Sequence, residues 1–417
     1  MKLCMFCMII SLVGCAKTYH SVVRPTIMLA GLPIRLTVDA VKYPVGVVMQ
    51  KRGDTTPFLQ PLTIQHEHRK IVIGNAQRKD SFTIAVKADG SMWSWGQCAN
   101  GELGLGLLND TKLTPVKIEI QKSIVAVEAG RSHVLALTNS GEVFGWGRNE
   151  FGQLGEMAST SIPAKIEGLE NIIAISANEN FSLALDHQGK VYAFGKNAAI
   201  FNEADFRQSH FKPIVVYQDP NIAKIGTLWK SFGVYAITKN GEVILWDSEK
   251  NWLVKAASDY VGKDNSIPLV NPRITLSQPI VDVAFSSRAT YYFLLADGSI
   301  LAKGWQASTK NSFANNQDER SQFLKVKNLG HIVNVESSTE GLALDDKGKV
   351  WTWGHKIGVS SWVGLYRKSY LTRQPSIDNI VQIYRYYPSY IALTKEGDVY
   401  EWGIPKKPPS KISWQWK

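Results

Sequence analysis

Cysteine is scarce and badly placed for any cross-linked or metal-bound fold. Of four cysteines, Cys4, Cys7 and Cys15 crowd the first fifteen residues and Cys98 stands alone, so neither a disulfide framework nor a zinc cluster can be assembled. After the N-terminus no apolar run approaches 18 residues, so no later segment is a transmembrane helix candidate. There is no run of five Lys or Arg, although the net charge is 47 − 36 = +11. Spread in this way, the charge favours solubility more than a nucleic-acid footprint. No Gly-Gly pair occurs anywhere. What the chain does have is 44% apolar residues, 33 Gly, 17 Pro and 13 Trp in 417 residues, a composition that excludes disorder, collagen and coiled coil.

Residues 1–15 carry one charge, Lys2, and then about eleven mostly apolar residues, too few to span roughly 30 Å of hydrocarbon but the length of a secretory h-region. The tetrapeptide Leu12-Val13-Gly14-Cys15 resembles the bacterial lipobox. That resemblance implies cleavage before Cys15, lipidation of its thiol and a mature charge of 46 − 36 = +10 once Lys2 is removed. No Asp follows the cysteine, so the expected destination is the cell envelope and, in a Gram-negative cell, the outer membrane. Residues 1–14 are read as signal peptide, 15–56 as a tether with a small accessory element in which 34–41 and 45–49 are strand-like, and 57–417 as the main domain.

Within that domain one unit recurs seven times. Gly90, Gly141, Gly189, Gly241, Gly298, Gly348 and Gly397 are spaced by 51, 48, 52, 57, 50 and 49 residues. Five residues later come Trp95, Trp146, Phe194, Trp246, Trp353 and Trp402, with Lys303 breaking the series. Five residues before the glycine stands Ala in every unit except one, which has Phe293. Short apolar stretches flank each Xaa-Gly turn, the pattern of a β-hairpin whose glycine takes positive φ. An upstream strand is expected from Ile71, Ile124, Ile172, Ile222, Ile280, Ile332 and Ile380, and a fourth near a proline at 115–120, 163–166, 213–217 and 272–276. Four strands that cannot bury their own faces predict an all-β fold, a seven-bladed β-propeller of four-stranded antiparallel blades. Ring closure could use 61–65 or 411–416, and the pattern leaves both open.

The run Gly141-Glu142-Val143-Phe144-Gly145-Trp146-Gly147-Arg148-Asn149, continued by Phe151-Gly152-Gln153-Leu154-Gly155, resembles the signature of the regulator of chromosome condensation repeat family. Gly90 to Gly104, with Trp95-Gly96 and Gly101-Glu102-Leu103-Gly104, is similar. The remaining units keep only the hairpin core. Kelch and WD-type propellers fit less well, because paired glycines are absent and Gly330-His331 and Trp246-Asp247 are isolated. The resemblance implies a propeller that works by binding. It also brings two relatives' activities as alternatives: nucleotide exchange on a GTPase with chromatin binding, and inhibition of an exported enzyme.

Chemistry is hard to place. Gly101-Glu102-Leu103-Gly104-Leu105-Gly106 lacks phosphate-loop spacing and a following helix, so it reads as a turn. His66-Glu67-His68 has no third ligand nearby, and Cys98 reads as a shielded loop thiol. Carboxylates are dispersed. The chain is therefore read as non-enzymatic, with no cofactor, no metal and no nucleic-acid partner. Its variable connections after each aromatic-Gly pair carry aromatics: Phe201, Phe206 and Phe211 in 196–212; Trp252 and Tyr260 in 247–271; Trp305 and Phe313 in 305–322; Trp362, Tyr366 and Tyr370 in 355–374. In stacked repeats such insertions gather on one face, so these residues are the candidate contacts for another protein. The basic end of the chain, with Trp414 and Trp416, is read as finishing the last blade.

Overall fold

The computed structural model describes residues 26–29, 32–38 and 47–50 and, between 71 and 411, all but 75–80, 88, 197–199, 201–208, 229–232, 247–272, 287–289, 305–322, 338–340, 354–371, 374–378, 387–388 and 404–406. The chain divides into two compact units, Met1–Leu62 and Thr63–Lys417. In the first, β1 (Thr26–Leu29), β2 (Leu32–Val38) and β3 (Val47–Gln50) form an antiparallel sheet in that order. The strand-like stretches read from the sequence fall at β2 and β3.

The second unit is the propeller, seven sheets each of four consecutive antiparallel strands. They occupy 71–118, 124–165, 172–218, 222–274, 280–325, 332–373 and 380–411. Blade 2 displays the local logic: β8 (Ile124–Ala129), β9 (His133–Thr138), β10 (Val143–Gly147) and β11 (Thr160–Lys165). Every residue of β9 is buried, because neighbouring blades cover both faces of the sheet. That explains the unbroken Val-Leu-Ala-Leu where a half-exposed strand would alternate. Between β9 and β10 the chain turns at Gly141, with φ of +80°, where a Cβ would lie 3.0 Å from the Ile172 nitrogen of blade 3. The residue three before the turn glycine adds a polar clasp: the Glu142 amide donates to Thr138 Oγ1 at 3.0 Å, and Gln188 and Lys190 amides both donate to Asp186 Oδ1. Such side-chain acceptors fix the turn where hydrophobic burial alone would not.

The aromatics five residues after the turn glycines pack toward the preceding blade. Trp146 joins Phe82, Ile84 and Met92 of blade 1, Phe194 joins Leu135 and Leu137 of blade 2, and Trp246 joins Phe181 and Leu183 of blade 3. Trp95 closes the circle against Ile391 and Val399 of blade 7. Each fully buried side chain of this size contributes roughly 1.5–3 kcal/mol, so the seams are the stabilising core.

Two features go beyond the sequence reading, which placed each first strand at its isoleucine and left ring closure open. Ile124, Ile172, Ile222, Ile280, Ile332 and Ile380 pair with the residue three before the turn glycine, and the next residue of each strand is bulged out of register. Ile71, aligned with them by sequence, instead pairs with Ala85, the register that Val127 takes in blade 2. The fourth strand of blade 7 is β31 (Lys407–Lys411) from its own repeat, and the Ile71 amide of blade 1 donates to Gln382 Oε1 of blade 7 at 3.2 Å. Residues 61–65 and 412–416 lie outside the described residues.

Candidate functional site

In blades 1 and 2 the chain leaving the third strand makes a glycine-rich bend and settles on the fourth strand of the next blade. Gly101, at φ +87°, has room for no Cβ because Ser161 Cα would stand 2.6 Å away, and the Gly106 amide donates to the Ser161 carbonyl at 2.8 Å. Gly152, at +80°, likewise meets the His210 carbonyl at 2.6 Å and Phe211 Cα at 2.7 Å. The bend in 101–106 is thus filled by protein on its inner side: a turn, as read from the sequence. Ser94 Oγ donates to the Leu103 carbonyl at 2.7 Å, and Trp146 Nε1 to that of Glu102 at 2.8 Å.

These bends lead into a rim that sequence reasoning missed. Fourth strands β7 (Asp110–Ile118), β11 and β15 (His210–Gln218) are long, whereas among the described residues those of blades 4, 5 and 6 show two residues each. On and beside them Leu107, Leu108, Leu113, Ile162, Phe211, Ile214 and Val215 are exposed, Leu113 by 90%. The signal was present in the runs Leu-Thr-Pro, Ser-Ile-Pro and Lys-Pro-Ile-Val-Val, of which Leu113, Ile162, Ile214 and Val215 face outward while Val216 packs on the core. Pro115, Pro163 and Pro213 remove backbone donors from these edges, which blunts strand-to-strand association while leaving side chains available.

Of the residues named as candidate contacts, Phe211 is the one within the described set. It lies on β15, 47% exposed, rather than in a connection. In blades 1, 2 and 3 the fourth strands begin before their prolines, at Asp110, Thr160 and His210, whereas in blade 4 the strand begins at Arg273, directly after Pro272. Cys15, Phe201, Phe206, Trp252, Tyr260, Trp305, Phe313, Trp362, Tyr366 and Tyr370 lie outside the described residues, as do His66 and His68.

One constellation has the outline of a base and a nucleophile. His133 Nε2 and Ser182 Oγ are 3.0 Å apart. Yet Ser182 donates its hydroxyl proton to the Gln153 carbonyl at 2.7 Å, so it accepts from Nε2–H and holds the ring in that tautomer. Both residues are fully buried at the seam of blades 2 and 3, and burial lowers the imidazole pKa to about 3. This is a packing device. Cys98 is buried, its thiol 3.3 Å from the Leu107 carbonyl it donates to, and burial raises its pKa. Among the described residues no group of three or more His, Cys, Asp or Glu could hold a metal ion, and no helix is long and apolar enough to cross a membrane.

The seam of blades 4 and 5 is polar. Lys224 Nζ on β16 (Ile222–Thr227) lies 2.8 Å from Asp282 Oδ1 on β20 (Ile280–Ser286), and the Tyr235 hydroxyl donates to the same oxygen at 3.0 Å. At the rim, Arg273 of blade 4 bridges Asp219 and Tyr217 of blade 3 and Glu242 of its own blade.

Comparison with known proteins agrees with the sequence resemblance. Residues 89–137 and 140–185 match the Regulator of chromosome condensation (RCC1) repeat, and 124–153 match a second form of the same repeat. The Arabidopsis thaliana ultraviolet-B receptor UVR8 is 38% identical over 105 residues, 25% of this chain and 23% of that protein. Mouse protein RCC2 is 40% identical over 91 residues, 21% of this chain and 16% of its own length. The probable E3 ubiquitin-protein ligase HERC3 of Homo sapiens is 42% identical over 74 residues, 17% of this chain and 7% of its own. The matched stretch thus spans under a quarter of each of these relatives. Among solved structures, the crystal structure of Kap60 bound to yeast RCC1 (Prp20) gives a TM-score of 0.60 at 18% identity, covering 84% of this chain and 88% of that one. Human WBSCR16 gives 0.58 at 17% identity, covering 88% and 90%. The chain carries RCC1 repeats on a seven-bladed propeller of the fold these structures share.

Proposed function

We propose that this chain is a non-enzymatic interaction scaffold that takes a protein partner on its propeller and is held at a bacterial cell envelope by lipid on Cys15. The observation carrying the first half is the rim of blades 1–3, where apolar side chains stand exposed on long fourth strands. Large apolar groups on a stable edge serve as anchors for another protein. The aromatic-bearing connections of the later blades extend the same reading. The second half rests on the Leu-Val-Gly-Cys tetrapeptide.

Two other activities come with the repeat. The yeast propeller is described with Kap60, and Prp20p with binding to Gsp1p and histones. An exchange-factor or chromatin role for this chain has only the fold behind it, and inhibition of an exported enzyme has only the architecture. The deciding experiment is metabolic labelling with a fatty-acid analogue plus fractionation, comparing wild type with Cys15→Ser, followed by photocrosslinking from positions 162 and 211. Label and membrane partition in wild type alone, with a discrete crosslinked protein, is the expected result. An unlabelled, cytosolic wild type would withdraw the envelope reading and return GTPase and nucleic-acid partners to first place.

A further inference from the structure

Among the described residues, two seams are roofed by a connection from the preceding blade. In blade 1 the chain from β6 (Met92–Cys98) to β7 runs through residues 99–109, and in blade 2 that from β10 to β11 runs through 148–159. Each lies on the fourth strand of the next blade: Gly101 on Ser161, whose carbonyl accepts from the Gly106 amide, and Gly152 on His210 and Phe211. Strand register makes these the same place. Thr160 pairs with Gly147 and His210 with Gly195, just as Lys112 pairs with Gly96 in blade 1. The residue of blade 1 that corresponds to Ser161 and Phe211 is therefore Leu113.

Blade 7 has no such connection to lay on it. Its third strand, β30 (Val399–Gly403), is followed after residues 404–406 by β31, whose first residue Lys407 already pairs with Gly403. A three-residue link between paired ends turns the chain straight back. Leu113 is accordingly 90% exposed, against 47% for Phe211 under the blade 2 bend. The other wall of this groove is Glu401. It pairs with Ile391, which packs into the closing seam with Trp95, and paired residues share a face of the sheet, so Glu401 is on the side of blade 7 turned to blade 1. The other six blades have Ser94, Gly145, Ala193, Leu245, Ala302 and Thr352 at this position. In blade 1 it touches the bend directly, Ser94 Oγ donating to the Leu103 carbonyl at 2.7 Å. A carboxylate in that place only accepts, and its two oxygens have lone pairs for several donors, which favours a cation there.

We propose that the groove between Glu401 and Leu113 at the closing seam docks a bend supplied by another protein. That bend lays a glycine on the Leu113 backbone, donates an amide to the Leu113 carbonyl, and turns a Lys or Arg toward Glu401 from the place that Leu103 holds in blade 1. The blade 1 bend spans both walls within three residues, Gly101 to Leu103, so a short segment suffices. The groove is continuous at Leu113 with the apolar rim of blades 1–3. The proposal rests on the scaffold reading above and adds one seam and the shape and charge of the segment it takes.

The probe is a fluorescent, cyclised peptide carrying residues 99–109 with Leu103→Lys, titrated into the full chain and followed by anisotropy. Saturable binding is expected. It should weaken by at least about tenfold when the peptide also carries Gly101→Ala, and equally when the protein carries Leu113→Asp or Glu401→Gln. Melting temperatures of both protein variants, read alongside, separate lost binding from lost folding, and the exposed Leu113 leaves the first of them unchanged. No saturable binding, or binding indifferent to any one of these three changes, would overturn the proposal. Neither result bears on the rim, which crosslinking from positions 162 and 211 reads independently.

Discussion

The indole of Trp146 in blade 2 donates its Nε1–H to the carbonyl of Glu102 in blade 1, 2.8 Å away across the blade boundary. The ring is fully buried, and Gly104 has no side chain because a Cβ there would stand 2.9 Å from Nε1. One residue thus closes a seam and positions the bend that leads to the exposed rim. Trp146→Phe keeps most of the apolar contact but leaves the Glu102 carbonyl without its donor, a loss of about 1–3 kcal/mol. Trp146→Ala should cost about 3–5 kcal/mol. Chemical unfolding of both variants beside wild type measures the difference.

Gly152 and Gly168 share φ of +80°, but a Cβ at Gly152 strikes the Phe211 backbone whereas nothing lies within 4 Å at Gly168. Gly168→Ala should therefore cost only the left-handed backbone, about 1–2 kcal/mol. Gly152→Ala adds a collision with backbone and should lower the melting temperature further, with proteolysis near 150–156 appearing first. Equal melting temperatures would show that the bend does not bear on the next blade.

Stability should fall with acid because of His133. Its folded pKa of about 3 lies below the unfolded value of 6.5, so the unfolded chain binds the proton more readily between them. The stabilisation of the neutral ring is complete above pH 6.5 and is lost as pH falls toward 3, with a slope of roughly 1.4 kcal/mol per pH unit. His133→Phe places at this position the residue that Phe82 and Phe181 provide opposite Gly96 and Gly195. Denaturant midpoints from pH 7 to 4 should flatten in that variant.

The Lys224–Asp282 pair holds the polar seam. Removing one partner leaves the other charged and poorly hydrated, so Asp282→Ala should cost about 3–5 kcal/mol, as should Lys224→Met. Replacing both, Lys224→Met with Asp282→Leu, should cost less than the sum, a coupling that a double-mutant cycle reads directly.

Rim variants should separate binding from folding. Leu113, Ile162 and Phe211 are exposed, so Ile162→Ser with Phe211→Ser should shift stability within about 0.5 kcal/mol. Partner crosslinking should drop severalfold in the same double variant. Unchanged crosslinking would move the binding face away from blades 1–3.

Much of this architecture is readable in one dimension. A turn glycine every 48 to 57 residues, with an aromatic five positions on in six of the seven units, reports a hairpin repeated seven times, and the number of repeats dictates the number of blades. These are local signals: positive φ belongs to glycine, and a strand covered on both faces is written as an unbroken apolar run. All seven first strands begin at the isoleucine the repeat marks, but their register is not legible, because pairing depends on which residue the second strand offers, and six of the seven first strands carry a bulge that no residue type announces.

The candidate site was far less legible. Phe211 stood out as an aromatic, but its place on a fourth strand against the Gly152 bend of the preceding blade is set by tertiary packing. His133, Ser182 and Gln153 are separated by up to 49 residues, and only their convergence reveals a relay sealed from solvent. Repeat, turn and strand were written in the chain itself, because each depends on residues within one hairpin's reach. The contact of Ile71 with Gln382 across the closing seam, the burial of Lys303 and the exposure of the rim were decided by folding, because each depends on what the neighbouring blades cover.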